Sequence, residues 1–335
     1  MIHINILSKS NQPFFPHWNK EEYPPSIYDI KENSEEDIVW DCVVIYQDIP
    51  ISKKFRCRKG NVFYFSGEPP MMVPMPSVFT KQFDKVVLPH PKVKHKNKIT
   101  SHGFLNWSLG YGHFSHKHRY DFNDLKSLEP EKKKLISIVT SNQKMMPGHN
   151  KRMAIIERLQ RDYPDAVDIF GRGFKTIDFK ADALLPYYFH ICIENSSIKD
   201  YWTEKIADPI LAQCVPIYAG CKNISSYFGR GGYLEFNVDN YDGLCRIIDQ
   251  IIKDPVGEYN KFKSSLAKLR IKLMEEQNLI PFVIKMIDKK NEDVCNYCIK
   301  PLEYSWQYRV QFLAIRFKRF VYRIYFKLIK INLYK

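Results

Sequence analysis

Short apolar runs punctuate the chain, and their spacing becomes regular halfway along. Residues 2–7 alternate as a first strand, and residues 9–36 are polar and Pro-bearing, reading as loop with helical turns. Residues 37–47 (DIVWDCVVIYQ), 61–65 (NVFYF) and 83–90 (FDKVVLPH) predict three more strands. The third of the four runs straight into Ser66-Gly67-Glu68-Pro69-Pro70. Residues 91–134 are rich in Lys, His, Gly and Asn and carry few apolar runs, which places a domain boundary near 130. Beyond it come a strand over 134–140, the loop SNQKMMPGHN, a helix over 151–162 and a strand over 166–170 ending at Gly171. A strand over 233–236, a helix over 241–253 and helical periodicity over 258–291 follow later.

Between these lies the most informative stretch. Residues 189–193 (FHICI) and 215–218 (VPIY) read as buried strands, and 201–213 has helical spacing. Strand, loop, helix and strand make one βαβ unit, which implies a parallel sheet. Ligands of such sheets sit beyond the carboxyl ends of the strands. Glu194, Asn195, Tyr201, Thr203, Glu204 and Lys205 all fall at that end. The predicted organisation is an α/β domain over 1–130, a second over 131–300, and a separate segment over 301–335.

Charge changes the picture at that last segment. The chain has 335 residues and a formal net charge of +14. Residues 306–335 hold eight Lys or Arg and no acid, so 14 less 8 leaves +6 for the rest. Arg309, Arg316, Arg319, Arg323, Lys327 and Lys330 fall within about 80° of one another at 100° per residue. Most of the remaining helix surface is aromatic or aliphatic, which predicts a cationic amphipathic helix for an anionic membrane surface. An RNA-binding tail and a helix docked on its own protein are the alternatives. Nucleic-acid binding by the folded domains is disfavoured, because the basic excess is largely confined to the tail. Hydrophobic residues make up 44% of the chain, enough for a sizeable core. Eight cysteines are scattered; Cys295 and Cys298 form the one C-x-x-C, with no second pair to complete a zinc site. No signal peptide or membrane span is expected, and a reducing cytoplasmic setting fits free thiols.

Two cations stand at predicted helix starts. Arg152 follows a strand and loop, where free backbone N–H groups attract anions and a guanidinium can fork two phosphate oxygens. Lys205 lies in the first turns of the next such helix, so the pair forms a candidate diphosphate clamp. Glu204 is a candidate for holding a ribose diol, or a carboxylate that simply complements the helix dipole. A solvated first-turn Arg is the plainer reading of Arg152. Neither G-x-G-x-x-G nor a P-loop is present. Pro209 should loosen the turn whose carbonyl it leaves unpaired.

The run FHICIENSSIKDYWTEKIADPILAQCVPIYAG resembles the donor-binding signature of glycosyltransferase family 10, the α-1,3/4-fucosyltransferases. That signature has an apolar strand, Glu-Asn-(Ser/Thr), Asp/Gly-Tyr-x-Thr-Glu-Lys, an apolar helix and a Pro-containing strand. SN…KRMAIIERL resembles the family's phosphate-binding segment, which puts that role on Arg152. VFYFSGEPP resembles the segment carrying the family's proposed base, which puts that role on Glu68. The resemblance implies a GT-B architecture, two Rossmann-like domains facing across a cleft. It implies a nucleotide-sugar donor, GDP-fucose, bound by Arg152, Asn195, Tyr201, Thr203, Glu204 and Lys205. The reaction would invert the anomeric centre with no cofactor and no metal, onto a glycan such as lipopolysaccharide or a related surface polysaccharide. The absence of Asp-x-Asp agrees with the metal-free expectation. A basic C-terminal helix is similar to those of bacterial members and implies a peripheral position on the cytoplasmic face of the inner membrane. Transfer of another nucleotide sugar, a non-catalytic relative and a nucleic-acid-binding protein using the tail are the competing readings.

Overall fold

The computed structural model describes residues 1–9, 13–141 and 147–333. The chain divides into two compact units, Met1–Asn106 with Gln277–Lys318, and Trp107–Glu276 with Arg319–Lys335.

The first unit contains β1 (Ile2–Ser8), β2 (Tyr28–Glu32), β3 (Val39–Trp40), β4 (Cys42–Tyr46), β5 (Lys53–Arg58), β6 (Val62–Phe65), β7 (Lys85–Leu88) and β8 (Lys98–Thr100), with a short α1 (Ser77–Thr80). Six of these strands form a parallel sheet in the order β2-β1-β4-β6-β7-β8. All residues of β4 and β6 are buried, which is why they read as unbroken apolar runs. Two expectations change here. The single strand expected over 37–47 is two strands in different sheets, and Asp41 stands at the break. Its carboxylate accepts from His3 N at 2.8 Å and from Arg58 Nε at 2.6 Å. The loop expected over 9–36 contains β2, an edge strand in which only Ile30 is fully buried, so the polar pattern masked it.

The second unit carries β9 (Lys134–Val139), β10 (Val167–Phe170), β11 (Tyr187–Ile193), β12 (Val215–Ala219) and β13 (Leu234–Glu235). Their order is β10-β9-β11-β12-β13, all parallel. Its helices are α2 (Phe122–Ser127), α3 (Pro147–Asp162), α4 (Glu204–Leu211), α5 (Ile224–Phe228), α6 (Tyr241–Lys253) and α7 (Pro255–Glu276). Trp107, Leu109, Phe122 and Leu125, from a stretch without a readable pattern, enter this unit's core beside Ile136 and Ile191. The division between units therefore falls at Asn106–Trp107 rather than near 130.

The chain then returns to the first unit. Helical periodicity over 258–291 is interrupted at Asn278, whose Oδ1 caps Ile280 N at 3.2 Å while its Nδ2 donates to His17 O at 2.7 Å. Helix α8 (Leu279–Met286) buries Leu279, Ile280, Val283 and Ile284 against Ile4, Val44 and Phe63. Strand β14 (Val294–Ile299) pairs antiparallel with β5, completing a second sheet in the order β14-β5-β3. Cys295 and Cys298 are three apart on this strand and so point to opposite faces. Helix α9 (Trp306–Leu333) ends the described chain. Two parallel α/β sheets, one in each unit, are the construction expected of the GT-B class.

Candidate active site

The carboxyl end of β11 is the centre of the second unit's site. Strand β11 is hydrogen-bonded on both sides, and Glu194 N extends the ladder by donating to Ala219 O at 2.9 Å. A Cβ on Gly220 would strike Cγ of Glu194 and the hydroxyl of Tyr218, so only glycine fits beside this carboxylate. Glu194 is 5% exposed. Its Oε1 accepts from Thr203 N at 2.8 Å, and the Thr203 hydroxyl lies 3.0 Å from each carboxylate oxygen. Thr203 is also the N-cap of α4, accepting from Lys205 N at 3.3 Å. Lys205 Nζ sits 3.3 Å from Glu194 Oε2, 3.1 Å from Thr203 Oγ1 and 3.6 Å from Glu204 Oε1.

This packing sets the charges. Burial pushes the Glu194 carboxyl up, against the pull of Lys205 and the Thr203 donors. Burial also pushes Glu204 up, but Lys205 and Lys180 outweigh it and hold that carboxyl at about 2. Burial alone would lower Lys205; Glu194 and Glu204 reverse the sign and raise it. Lys205 is thus a charged lysine already engaged by two carboxylates.

Arg152 differs. It is 6% exposed, its Nη1 donates to Asn195 Oδ1 at 2.8 Å, and its Nη2 reaches Ser141 O at 3.4 Å. Its Nε has no hydrogen-bond partner among the described residues. Burial lowers the guanidinium, while Glu194 and Tyr201 oppose that shift. A buried cation with an unused donor and only neutral hydrogen-bond acceptors is suited to an anionic ligand. Helix α3 starts at Pro147, so Arg152 lies in its second turn rather than at the opening, as expected from sequence. The attraction for an anion there belongs to the side chain, not to free backbone N–H groups. Part of the preceding loop lies outside the described residues.

The loop from Ser196 to Trp202 is pinned by Asp200. This residue adopts φ 60°, its Oδ1 accepts from Asn223 Nδ2 and Tyr227 OH at 2.8 Å each, and its N donates to Asn223 Oδ1 at 2.8 Å. Tyr201 and Trp202 are buried behind it. Helix α4 begins at Glu204, three residues later than the periodicity predicts, and contains Pro209.

Sequence reasoning missed a buried ion pair under α4. Lys180 Nζ lies 2.7 Å from Asp208 Oδ2, and Asp208 Oδ1 accepts from Ser108 N at 2.8 Å. Lys180 Nζ also reaches Glu204 O at 3.4 Å, tying the helix start to the same cation. An acid inside the apolar run IADPIL was the available signal for Asp208; Lys180 had none.

Glu68 belongs to the first unit. It follows β6, its N donates to Ser66 Oγ at 3.4 Å, and its carbonyl accepts from His90 Nε2 at 2.6 Å. Gly103, at φ 78°, brings its backbone against the Ser66 carbonyl, where a Cβ would collide. Burial lowers His90 and pushes His102 down to about 3. His102 Nε2 donates to Gln277 Oε1 at 3.1 Å and its Nδ1 accepts from Phe104 N at 3.3 Å. Both histidines are neutral structural groups. Asp121 caps α2, its Oδ1 accepting from Asp124 N at 3.0 Å. Among the described residues no group of three or more His, Cys, Asp or Glu is arranged to hold a metal ion.

The chain that carries this network at the end of a parallel strand is a glycosyltransferase. Residues 129–312, more than half of the chain, match the family model described as Glycosyltransferase family 10 (fucosyltransferase) C-term; the chain belongs to that family. Similar solved structures include an α1,3-fucosyltransferase with GDP, at 17% identity over 79% of this chain and 81% of that one, TM-score 0.44. The same type of enzyme with GDP-fucose gives 17%, 79%, 82% and 0.43. A sucrose-phosphate synthase from Thermosynechococcus elongatus gives 10% identity over 85% and 97% of the two chains, TM-score 0.43.

Proposed function

We propose that this chain transfers L-fucose from GDP-fucose, with inversion and without a bound metal, to a hydroxyl of a surface glycan such as lipopolysaccharide. The observation that carries the reading is Arg152, a buried guanidinium with a free Nε beside Asn195, in a chain of the fucosyltransferase family. Arg152 meets the diphosphate, and its charge stabilises the departing GDP. Lys205, oriented by Glu194 and Thr203, contributes a second positive charge to the same step. Glu204, held ionised, takes the ribose hydroxyls. Asn195 and Tyr201 complete the donor pocket. Glu68 accepts the proton of the attacking hydroxyl.

Helix α9 supports a peripheral position on an anionic membrane at the cytoplasmic face of the inner membrane. Trp306, Val310, Leu313, Phe317 and Phe320 are all more than half exposed, and at 100° per residue they lie beside the arginine stripe. Among the described residues no helix is long and apolar enough to cross a membrane. Removing residues 306–335 should release the protein from anionic vesicles in co-sedimentation and leave GDP binding intact. A thermal-shift screen of GDP-, UDP- and CMP-sugars tests the donor. GDP-fucose should raise Tm most, and a UDP-sugar doing so alone would overturn the reading.

A further inference from the structure

We propose that a lysine patch of the first unit and the foot of α9 form one contact surface for an anionic lipid bilayer. This rests on the reading of α9 as a membrane-associating helix. Residues 1–305 carry a net +6, and residues 81–98 alone, with six lysines against one acid, carry +5 of it. The positive excess of the chain therefore lies in two segments, 81–98 and 306–335, and the rest is close to neutral.

The two segments meet within the first unit, which keeps α9 as far as Lys318. Gln82 Nε2 donates to Lys300 O at 3.3 Å, and Gln82 Oε1 accepts from Lys300 N at 2.8 Å. Phe83 is buried in one cluster with Ile299 and Leu302, and Val93 and Tyr308 pack against that cluster. Docking through Tyr308 leaves Trp306, Val310, Leu313 and Phe317 exposed. At 100° per residue these four span about 60° of the helix, roughly opposite Tyr308.

Lys81, Lys94, Lys96 and Lys98 line one open depression at the amino ends of β7 and β8. The backbone beneath them is fixed. His95 Nε2 donates to Phe83 O at 3.1 Å, His95 Nδ1 accepts from Asn97 N at 3.2 Å, and Asn97 Nδ2 donates to Asp84 O at 2.9 Å. Lys98 Nζ is engaged by His90 O at 3.3 Å and Pro91 O at 3.1 Å. Lys81, Lys94 and Lys96 are exposed, and among the described residues no carboxylate pairs with them. Asp84, the acid of this segment, is turned to Val62 N at 3.0 Å and Tyr297 OH at 3.1 Å. Glu303, ahead of α9, is met by Lys9 Nζ at 3.7 Å.

The occupant follows from this combination. Phe83 is buried and offers no face for stacking a base. Lysine is depleted in protein–protein contacts. Ammonium groups beside an exposed apolar stripe match a bilayer, which supplies anionic headgroups and an acyl boundary in one plane. The amino-end position also puts the lysines at the opposite edge of the sheet from the Glu68 turn, so headgroups held there leave that turn uncovered.

The test is co-sedimentation of the full-length protein, K94E/K96E, the charge-matched control K253E/K263E from exposed positions of the second unit, and the form lacking residues 306–335. The probes are phosphatidylcholine vesicles with and without phosphatidylglycerol, and oligouridylate. The wild type should pellet with the anionic vesicles, and much less at high salt. K94E/K96E should lose roughly tenfold or more in vesicle affinity, because two attractions become repulsions, while the control stays within about twofold of the wild type. A K94E/K96E protein that pellets like the wild type overturns the patch, and the α9 reading still stands if the truncated form is released. Equal losses in both charge variants overturn it too, by reducing the effect to net charge, as does a defect confined to oligouridylate. A wild type that ignores anionic vesicles removes the α9 reading and the patch with it. Unchanged GDP affinity in each variant reports folding.

Discussion

The two units end their central strands in opposite electrostatic styles. Past β11 the second unit gathers six ionisable groups: Arg152, Lys180, Glu194 and Asp208 are buried, Glu204 and Lys205 are half-buried, and all but Arg152 are joined by direct contacts. Past β6 and β7 the first unit buries His90 and His102, both neutral, and fixes the Glu68 turn with backbone carbonyls and a close glycine. Burying charge is costly unless it is paired, so a network of that size is kept where a charged ligand must be held. A neutral hydroxyl acceptor needs only a positioned base. On the proposed function, the phosphate chemistry belongs to the second unit and the proton transfer to the first.

The largest expected effect breaks the first unit's half of this contrast. Glu68→Gln keeps size and hydrogen bonding but removes the proton acceptor. Transfer should fall by about 10²–10⁴-fold, the usual contribution of a general base, with GDP affinity unchanged. Near-normal turnover on the native acceptor would remove Glu68 from the mechanism.

Within the second unit, Lys205 and Arg152 should separate. Lys205→Ala strands the fully buried Glu194 carboxylate and should destabilise the fold by about 3–5 kcal/mol, besides weakening GDP binding. Arg152→Ala removes no carboxylate hydrogen bond among those described. It should weaken GDP by about 1.5–3 kcal/mol while costing the fold less than Lys205→Ala does. Denaturation and calorimetry on both variants decide. If the two lose stability equally, the distinction drawn between a paired and an unpaired cation fails.

These predictions could be framed because one site was local in sequence and the other was not. The second unit's network draws Glu194, Thr203, Glu204 and Lys205 from a single strand-loop-helix, so order along the chain exposed it. Arg152 was found, but its helix begins earlier than periodicity suggested, because Pro147 opens it ahead of the apolar pattern. Lys180 and Asp208 are 28 residues apart and invisible as a pair until the loop folds under α4. In the first unit, Gly103 reaches Ser66, His90 reaches Glu68 and Gln277 reaches His102 only through tertiary structure, and residues 107–127 join the second unit's core through scattered aromatics rather than a repeat. Edge strand β2 carries charge on both faces, Asp29 and Lys31 on one and Glu32 on the other, and Ile30 is its one fully buried residue, too little for a readable period.

The smallest effect sharpens the contrast by pH. His102 is held neutral, with its folded value near 3 against an ordinary 6.5. Below 6.5 the unfolded chain takes up a proton that the folded chain refuses, so stability falls as pH drops from 6.5 toward 3. The loss reaches about 2 kcal/mol near pH 5. Glu204 is depressed instead, from 4.5 to about 2. Its contribution is fully present above 4.5 and is lost only as pH falls from there toward 2. Between pH 6.5 and 4.5 the acid sensitivity should therefore come from buried neutral histidines, His90 and His102 in the first unit and His190 in the second, rather than from Glu204. His102→Gln should flatten the stability curve in that window, whereas Glu204→Gln should alter it only below 4.5. Urea titrations across the range measure both slopes. A Glu204→Gln protein that loses its pH dependence near pH 5.5 would mean that the carboxylate is not held ionised by Lys205 and Lys180, and the charged network of the second unit would have to be redrawn.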